Sequence, residues 1–176
     1  MNYFVIIEIL GSIFYFIQKV FLSSGKRLGW LFGFLGSIAF TLVTLHKGSF
    51  AYSILEITSG IIFVFGFFLW QKFEKVEKRL TFLMGGITII GIVVIFLFNL
   101  GSPNWVLEDS MVVLFVIGAV FLVLRNPIGW LLYIAGHIIL IAYAYILGTY
   151  SILILQIISI PFAIIGYRNL KNHELK

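Results

Sequence analysis

Residues 29–40 read GWLFGFLGSIAF, and residues 129–140 read GWLLYIAGHIIL. A shift of 100 places lays Gly29-Trp30-Leu31 on Gly129-Trp130-Leu131 without a gap. The same register pairs Gly36 with Gly136, Gly48 with Gly148, Phe50 with Tyr150, Glu56 with Gln156, Ser59 with Ser159 and Gly66 with Gly166. About eleven of the thirty-eight paired positions from Gly29 to Gly66 are identical. Leu and Ile matches carry little weight in so apolar a chain, whereas matched Gly and Trp are hard to reach by chance. The chain therefore reads as an internal duplication. With one gap in the first loop, Glu8 is expected opposite Asp109, each at the outer end of its helix.

Outside the repeat the composition is just as apolar. Of 176 residues, 61% are hydrophobic and 11% charged, with a mean hydropathy of +1.13. A soluble domain is about 45–50% apolar and about 25% charged, and one of this length has too little interior to hide the excess. A cytosolic enzyme, a disordered regulator and a secreted disulfide scaffold are excluded. The chain has no cysteine, hence no disulfide and no thiolate metal site. A net charge of +5 without a basic run on a polar domain offers nucleic acid no platform.

The apolar runs are continuous rather than alternating, which fits helices and not barrel strands. Each is near the about 20 residues needed to cross a bilayer. Seven spans are predicted: Tyr3–Leu22, Gly29–His46, Phe50–Trp70, Leu80–Leu100, Trp105–Leu124, Ile128–Leu147 and Tyr150–Arg168. The first carries Glu8 and Gln18 with no basic region ahead of it, so it reads as a span and not a cleavable signal. The expected layout is 1–79 for the first three-helix repeat and its loop, 80–104 for a linker helix, 105–170 for the second repeat and 171–176 for a cytoplasmic tail. One odd span between the repeats gives both the same orientation. The predicted fold class is therefore all-α integral membrane, with seven transmembrane helices as two parallel three-helix repeats joined by a linker helix. Such repeats are a transporter architecture with the substrate site at their interface near midplane. Lys47 alone falls on one side, against Lys19, Lys26, Arg27, Lys72, Lys75, Lys78, Arg79, Arg125, Arg168, Lys171 and Lys176 on the other. Basic residues stay inside, which predicts a multi-pass protein of the cell membrane, amino terminus outside and carboxyl terminus cytoplasmic. The Gln71–Arg79 loop, mixed in charge, reads as solvated surface near anionic lipid.

Trp30-x-x-Gly33-x-x-Gly36-Ser37, Gly48-x-Phe50 with Glu56, and Gly66-x-x-x-Trp70 recur in the second half as Trp130 to His137, Gly148-Thr149-Tyr150 with Gln156, and Gly166-Tyr167-Arg168. Over essentially its whole length the chain resembles the PnuC vitamin transporters, which share the helix arrangement of the SWEET sugar carriers. The resemblance implies facilitated diffusion of nicotinamide riboside, or of thiamine or a nucleoside as in relatives, with no cofactor and as a homotrimer. Glu56 stands where an uncharged polar residue is more typical of that family, and His137 where asparagine-like chemistry is. A SWEET-like sugar carrier is the weaker alternative, because spans one and five lack its proline-glutamine signature. A non-transporting membrane subunit or sensor is the other.

Ionisable residues deep in a membrane are costly and usually face an interior cavity. Glu56 and His137 are the two expected there. Tyr52 and Ser59 share the face of Glu56 at helical spacing, and Gln156 with Ser159 repeats the pattern. Tyr133 lies four residues before His137, whose repeat mate is Ser37. Trp30 and Trp130 begin spans two and six, where tryptophan either anchors at the interface or stacks on a flat ring. The expected substrate-binding set is Glu56, Gln156, His137, Tyr133, Ser37, Tyr52, Trp30 and Trp130, facing a small vitamin or nucleoside-like, cationic ligand. Glu8 and Asp109 are expected near the outer surface, in reach of water. Pro161 is expected to kink span seven. No nucleophile–base pair or metal-ligand cluster is legible, since His46 and His173 sit at a membrane edge and in the tail.

Overall fold

The computed structural model describes residues 3–48, 50–70, 78–99, 103–146, 148 and 150–174. These residues form seven helices, α1 (Tyr3–Ser23), α2 (Leu28–His46), α3 (Phe50–Leu69), α4 (Lys78–Asn99), α5 (Trp105–Val123), α6 (Ile128–Ile146) and α7 (Tyr150–Glu174). All seven are long and apolar enough to cross a membrane. The start of α4 falls two residues before the predicted Leu80, and α7 runs six residues past Arg168. Helix α7 continues through Pro161. Most of the loop read as solvated surface, residues 71–77, lies outside the described residues.

Helix α2 packs between α1 and α3, and α6 packs between α5 and α7. The first helix of each triplet meets the last helix of the other, α1 against α7 and α5 against α3. Six helices thereby close a ring in the order α1, α2, α3, α5, α6, α7. Helix α4 lies outside it, across the junction of α3 and α5. Its outer face presents Phe82, Ile89, Ile90, Leu97 and Phe98, apolar side chains that hydrocarbon accommodates at no cost.

The turns that open α2 and α6 are the same turn, hydrogen bond for hydrogen bond. Gly25 and Lys26 donate to the carbonyls of Leu22 and Phe21, and Gly29 and Trp30 to those of Lys26 and Arg27. Arg125, Asn126, Gly129 and Trp130 donate to Leu122, Phe121, Asn126 and Pro127 in the same order. The register therefore runs through this loop without a gap, and the expected pairing of Glu8 with Asp109 is corrected to Glu8 with Glu108. Asp109 is not in reach of water either. It is 4% exposed, because α4 covers this end of α5 and Asn99 Nδ2 donates to its Oδ1 at 2.6 Å.

Trp30 and Trp130 are 0% and 2% exposed. A Cβ added at Gly66 would sit 2.3 Å from the Trp30 ring, and one at Gly166 2.3 Å from the Trp130 ring. These two glycines exist to admit the indoles. Gly66→Ala is therefore expected to cost about 1–3 kcal/mol, the range for overpacking a filled site. Gly85→Ala meets nothing within 4 Å among the described residues and, inside α4, is expected to be neutral or to stabilise by up to about 1 kcal/mol. Thermal unfolding of both variants in detergent checks the contrast, and equal melting temperatures would refute the packing argument.

Candidate functional site

A cavity of about 340 Å³ occupies the centre of the ring. All six ring helices line it, and no described residue of α4 does. At one end Lys47 Nζ pairs with Glu8 Oε2 at 2.9 Å, and the lysine side chain is 56% exposed. The cavity thus opens at the face where α1, α3, α5 and α7 begin.

One turn or more below that rim, two polar clusters face each other. On the first repeat the Tyr15 hydroxyl donates to the Glu56 carboxylate. Its oxygen lies 3.1 Å from Ser37 Oγ, and with the phenol proton committed to Glu56 the serine is the donor. On the second repeat His137 Nδ1 lies 2.6 Å from Gln156 Oε1. An acceptor oxygen there assigns the proton to Nδ1. Phe115 packs its ring against Tyr133 at 5.4 Å and against His137 at 5.1 Å. The wall therefore combines a carboxylate, an imidazole and a carboxamide with aromatic rings.

Deeper still is a group not expected from sequence. Lys19 is 7% exposed, lines the cavity, and donates from Nζ to Ser159 Oγ at 2.5 Å. The Ser159 hydroxyl passes its own proton to the Leu155 carbonyl at 2.6 Å. Gln18 beside it is 3% exposed and also lines the cavity, and its Nε2 has no partner among the described residues.

Of the sequence candidates, Glu56, Gln156, His137, Tyr133 and Tyr52 lie on the cavity wall. Ser37, 2% exposed, stands behind Tyr15 and is not on the wall. Trp30 and Trp130 are not on it either, because Gly66 and Gly166 draw the indoles into the packing below. There Trp30 meets Phe63 at 5.9 Å and Trp70 at 5.5 Å, while Trp130 meets Tyr133 at 6.1 Å. Sequence reasoning missed Tyr15, Gln18 and Lys19. Their signal was spacing: Glu8, Tyr15, Gln18 and Lys19 recur on one helical face. Lys19 had been counted with the inner loop charges and leaves that count, so the basic asymmetry stands at about ten to one.

Beneath the tryptophans the two repeats are tied together. Asn169 Nδ2 on α7 donates to the Ser23 carbonyl of α1 at 2.8 Å. The Arg125 guanidinium donates to the Trp70 carbonyl at the end of α3 and sits 5.5 Å from the Trp70 ring centre.

The protein-family model described as nicotinamide mononucleotide transporter matches residues 5–172. The chain belongs to this family. Among solved structures, a crystal structure of the vitamin B3 transporter PnuC matches with a TM-score of 0.72 at 18% identity, over 94% of this chain and 80% of that one. No curated protein matches the sequence. As a member of the nicotinamide mononucleotide transporter family with seven apolar helices, the chain is a multi-pass membrane protein of a transporter fold.

Proposed function

We propose that the chain is a cell-membrane carrier that takes up a small vitamin or nucleoside-like substrate, nicotinamide riboside foremost, by facilitated diffusion. The observation that carries this reading is the cavity enclosed by both repeats, with the repeat mates Glu56 and Gln156 on its opposite walls. Its volume of about 340 Å³ is within the range for small-molecule sites. Aromatic rings suit a flat heterocycle, a carboxylate suits a ring cation, and the imidazole and carboxamide suit sugar hydroxyls. In this reading Glu56, Gln156, His137, Tyr133 and Tyr52 contact the ligand, Ser37 holds Tyr15, and Trp30 and Trp130 plug the inner half. The amino terminus is outside, so the cavity faces outward while the ties of Asn169 and Arg125 close the inner end. Rocking of residues 1–79 against 105–170, with 80–104 as the linker, breaks those ties and opens the other side.

Counterflow tests the carrier. Labelled nicotinamide riboside should accumulate in liposomes holding the protein and unlabelled substrate. Uptake equal to that of empty vesicles for nicotinamide riboside, thiamine and nucleosides alike removes the reading. A reporter after Lys176 should read cytoplasmic, and a tag on the amino terminus should be reached from outside. Assembly as a homotrimer belongs to the same proposal and is checked by the mass of the solubilised particle.

The inner closure has its own test. Arg125 holds a left-handed backbone, φ 56°, where its repeat mate is Gly25 at φ 71°. A non-glycine residue there costs about 1 kcal/mol, a strain kept for the sake of its side chain. Arg125→Gly relieves the strain and removes the tie to Trp70. In this cysteine-free chain, a single Ser23→Cys reports on the inner end, since Ser23 is 2% exposed beneath it. Maleimide labelling of Ser23→Cys is expected to speed up about tenfold or more in the Arg125→Gly background, as for the loss of a charge-assisted hydrogen bond worth about 1.5–3 kcal/mol. Unchanged labelling would refute the latch.

A further inference from the structure

We infer that the carrier opens inward along one seam only: α1 parts from α7, while α3 and α5 stay shut as the hinge. The inference rests on the carrier reading above and adds which helices separate and which residues line the exit.

One repeat meets the other at two seams, α1 against α7 and α3 against α5. The duplication makes these seams equivalent, so they can be compared position by position. Across α1 and α7, Lys19 Nζ donates to Ser159 Oγ at 2.5 Å and Asn169 Nδ2 to the Ser23 carbonyl at 2.8 Å. Phe16 meets Phe162 edge-on at 5.6 Å between them. The register of the repeat puts Ala119 and Ser59 in the places of Lys19 and Ser159. It puts Val123 and Leu69 in those of Ser23 and Asn169, and Val116 and Ile62 in those of the phenylalanines. Ser59 faces the central cavity. The other five are apolar and at most 7% exposed. One seam is therefore polar and the other greasy.

That difference decides which seam can open. A path for a polar ligand must be wet. Wetting an apolar seam costs free energy in proportion to its area, whereas polar groups exchange a protein partner for water at small net cost. Helix α4 acts in the same direction. It packs on both α3 and α5, so closely that a Cβ on Gly91 would lie 2.6 Å from Thr58 Oγ1, and its Asn99 is bonded to Asp109. Among the described residues no helix packs on both α1 and α7. A second hollow of about 90 Å³ begins one turn below Lys19 on α1. Ser23 and Asn169 line it with Trp70 and Trp130, and no described residue of α5 does. The hollow thus continues the central cavity down the α1–α7 side. The tie of Arg125 to the Trp70 carbonyl stands at the foot of the opposite seam, so its release lets the hinge tilt without parting.

Two matched comparisons in liposomes test the inference, and neither needs a substrate. In the cysteine-free chain, one spin-label pair is placed at Ser24→Cys and Arg168→Cys. The other is placed at their repeat mates, Leu124→Cys and Phe68→Cys. Electron-spin distance measurement should give a second, longer distance for the first pair and a single distance for the other. A second distance in both pairs, in the Leu124–Phe68 pair alone, or in neither overturns the inference. Wetting is read from the single variants Ser23→Cys and Val123→Cys, repeat mates that are 2% and 1% exposed. A charged, membrane-impermeant maleimide is expected to label Ser23→Cys about tenfold or more faster, as for sites that differ in the free energy of local opening. Equal rates, or faster labelling of Val123→Cys, overturn the inference. Should a spin-labelled pair not fold, these rates decide alone. Absence of counterflow removes the carrier reading, and the distances and rates still tell whether the α1–α7 seam parts.

Discussion

Glu56→Gln is expected to weaken binding of a ligand with a pyridinium or thiazolium ring by about 2–4 kcal/mol, scaled from the removal of one partner of a buried charge pair and reduced for a partly hydrated cavity. The substitution keeps the shape and leaves an acceptor oxygen for the Tyr15 hydroxyl, whose bond to Glu56 the structure contains. What it removes is the capacity to present a negative charge to a cationic ligand. Neutral nucleosides should therefore lose much less, and the difference between ligands isolates the charge from any change in packing. Gln156→Glu, which adds a carboxylate on the repeat-related wall beside His137, should not harm cation binding. The measurement is binding of one cationic and one neutral ligand to wild type and Glu56→Gln. Equal losses for both, or none for either, dismiss the counter-charge role and leave Glu56 as a group that ties α3 to α1 through Tyr15.

The parts of this molecule that were legible in sequence are those written in residue types that a membrane rarely admits. Hydropathy and the glycine and proline breaks placed all seven spans, and the matched Gly and Trp positions fall at the two like turns before α2 and α6. Glu56 and His137 stood out because ionisable residues are expensive in hydrocarbon, Gln156 because the repeat pairs it with Glu56, and all three line the cavity. Lys19 was hidden by the opposite logic. It lies near a helix end, where a long side chain ordinarily snorkels to the interface, and only the fold shows it turned inward to Ser159. The tryptophans misled for a similar reason. Their place at the start of α2 and α6 suited either anchoring or stacking, whereas the hole left by a glycine on another helix decides where an indole goes.

One exchange between the repeats was illegible because it needs two positions at once. In the first repeat Gln18 fills the space over Gly33, with Nε2 2.4 Å from where a Cβ would be. In the second, Tyr133 fills the space over Gly118, its ring carbon 2.8 Å from the added Cβ. Gln18 pairs with Gly118 and Gly33 with Tyr133 in the same register. Large and small have changed places across one helix contact, which conserves volume while giving one wall of the cavity an amide and the other a phenol.

The largest expected loss of stability comes from Gly29→Ala and Gly129→Ala. A Cβ at Gly29 would lie 2.8 Å from both the Gln18 carbonyl oxygen and the Leu22 nitrogen. At Gly129 it would lie 2.7 Å from the Gly118 carbonyl oxygen and 2.8 Å from the Leu122 nitrogen. A crowded side chain can rotate away, but backbone can be relieved only by moving α1 off α2, or α5 off α6. Each substitution is therefore expected to cost about 3 kcal/mol, the upper end for overpacking. The two sites lie in different repeats and share no partner, so the losses should add to about 6 kcal/mol, enough to exhaust a stability of ordinary size. Gly48→Ala and Gly148→Ala are the controls. Both glycines have positive φ, 73° and 67°, but meet nothing within 4 Å, so each should lose only the about 1 kcal/mol of a left-handed backbone. Unfolding of the five variants (four single and one double) in denaturant-titrated detergent gives the comparison, and losses at Gly29 no larger than at Gly48 would refute the close helix approach. The same displacement carries a functional signature. Gly29→Ala pushes on Gln18, next to Lys19, whereas Gly129→Ala pushes on Gly118, the seat of Tyr133. At temperatures where both single variants remain folded, the first should disturb the Lys19 end of the cavity and the second its aromatic wall.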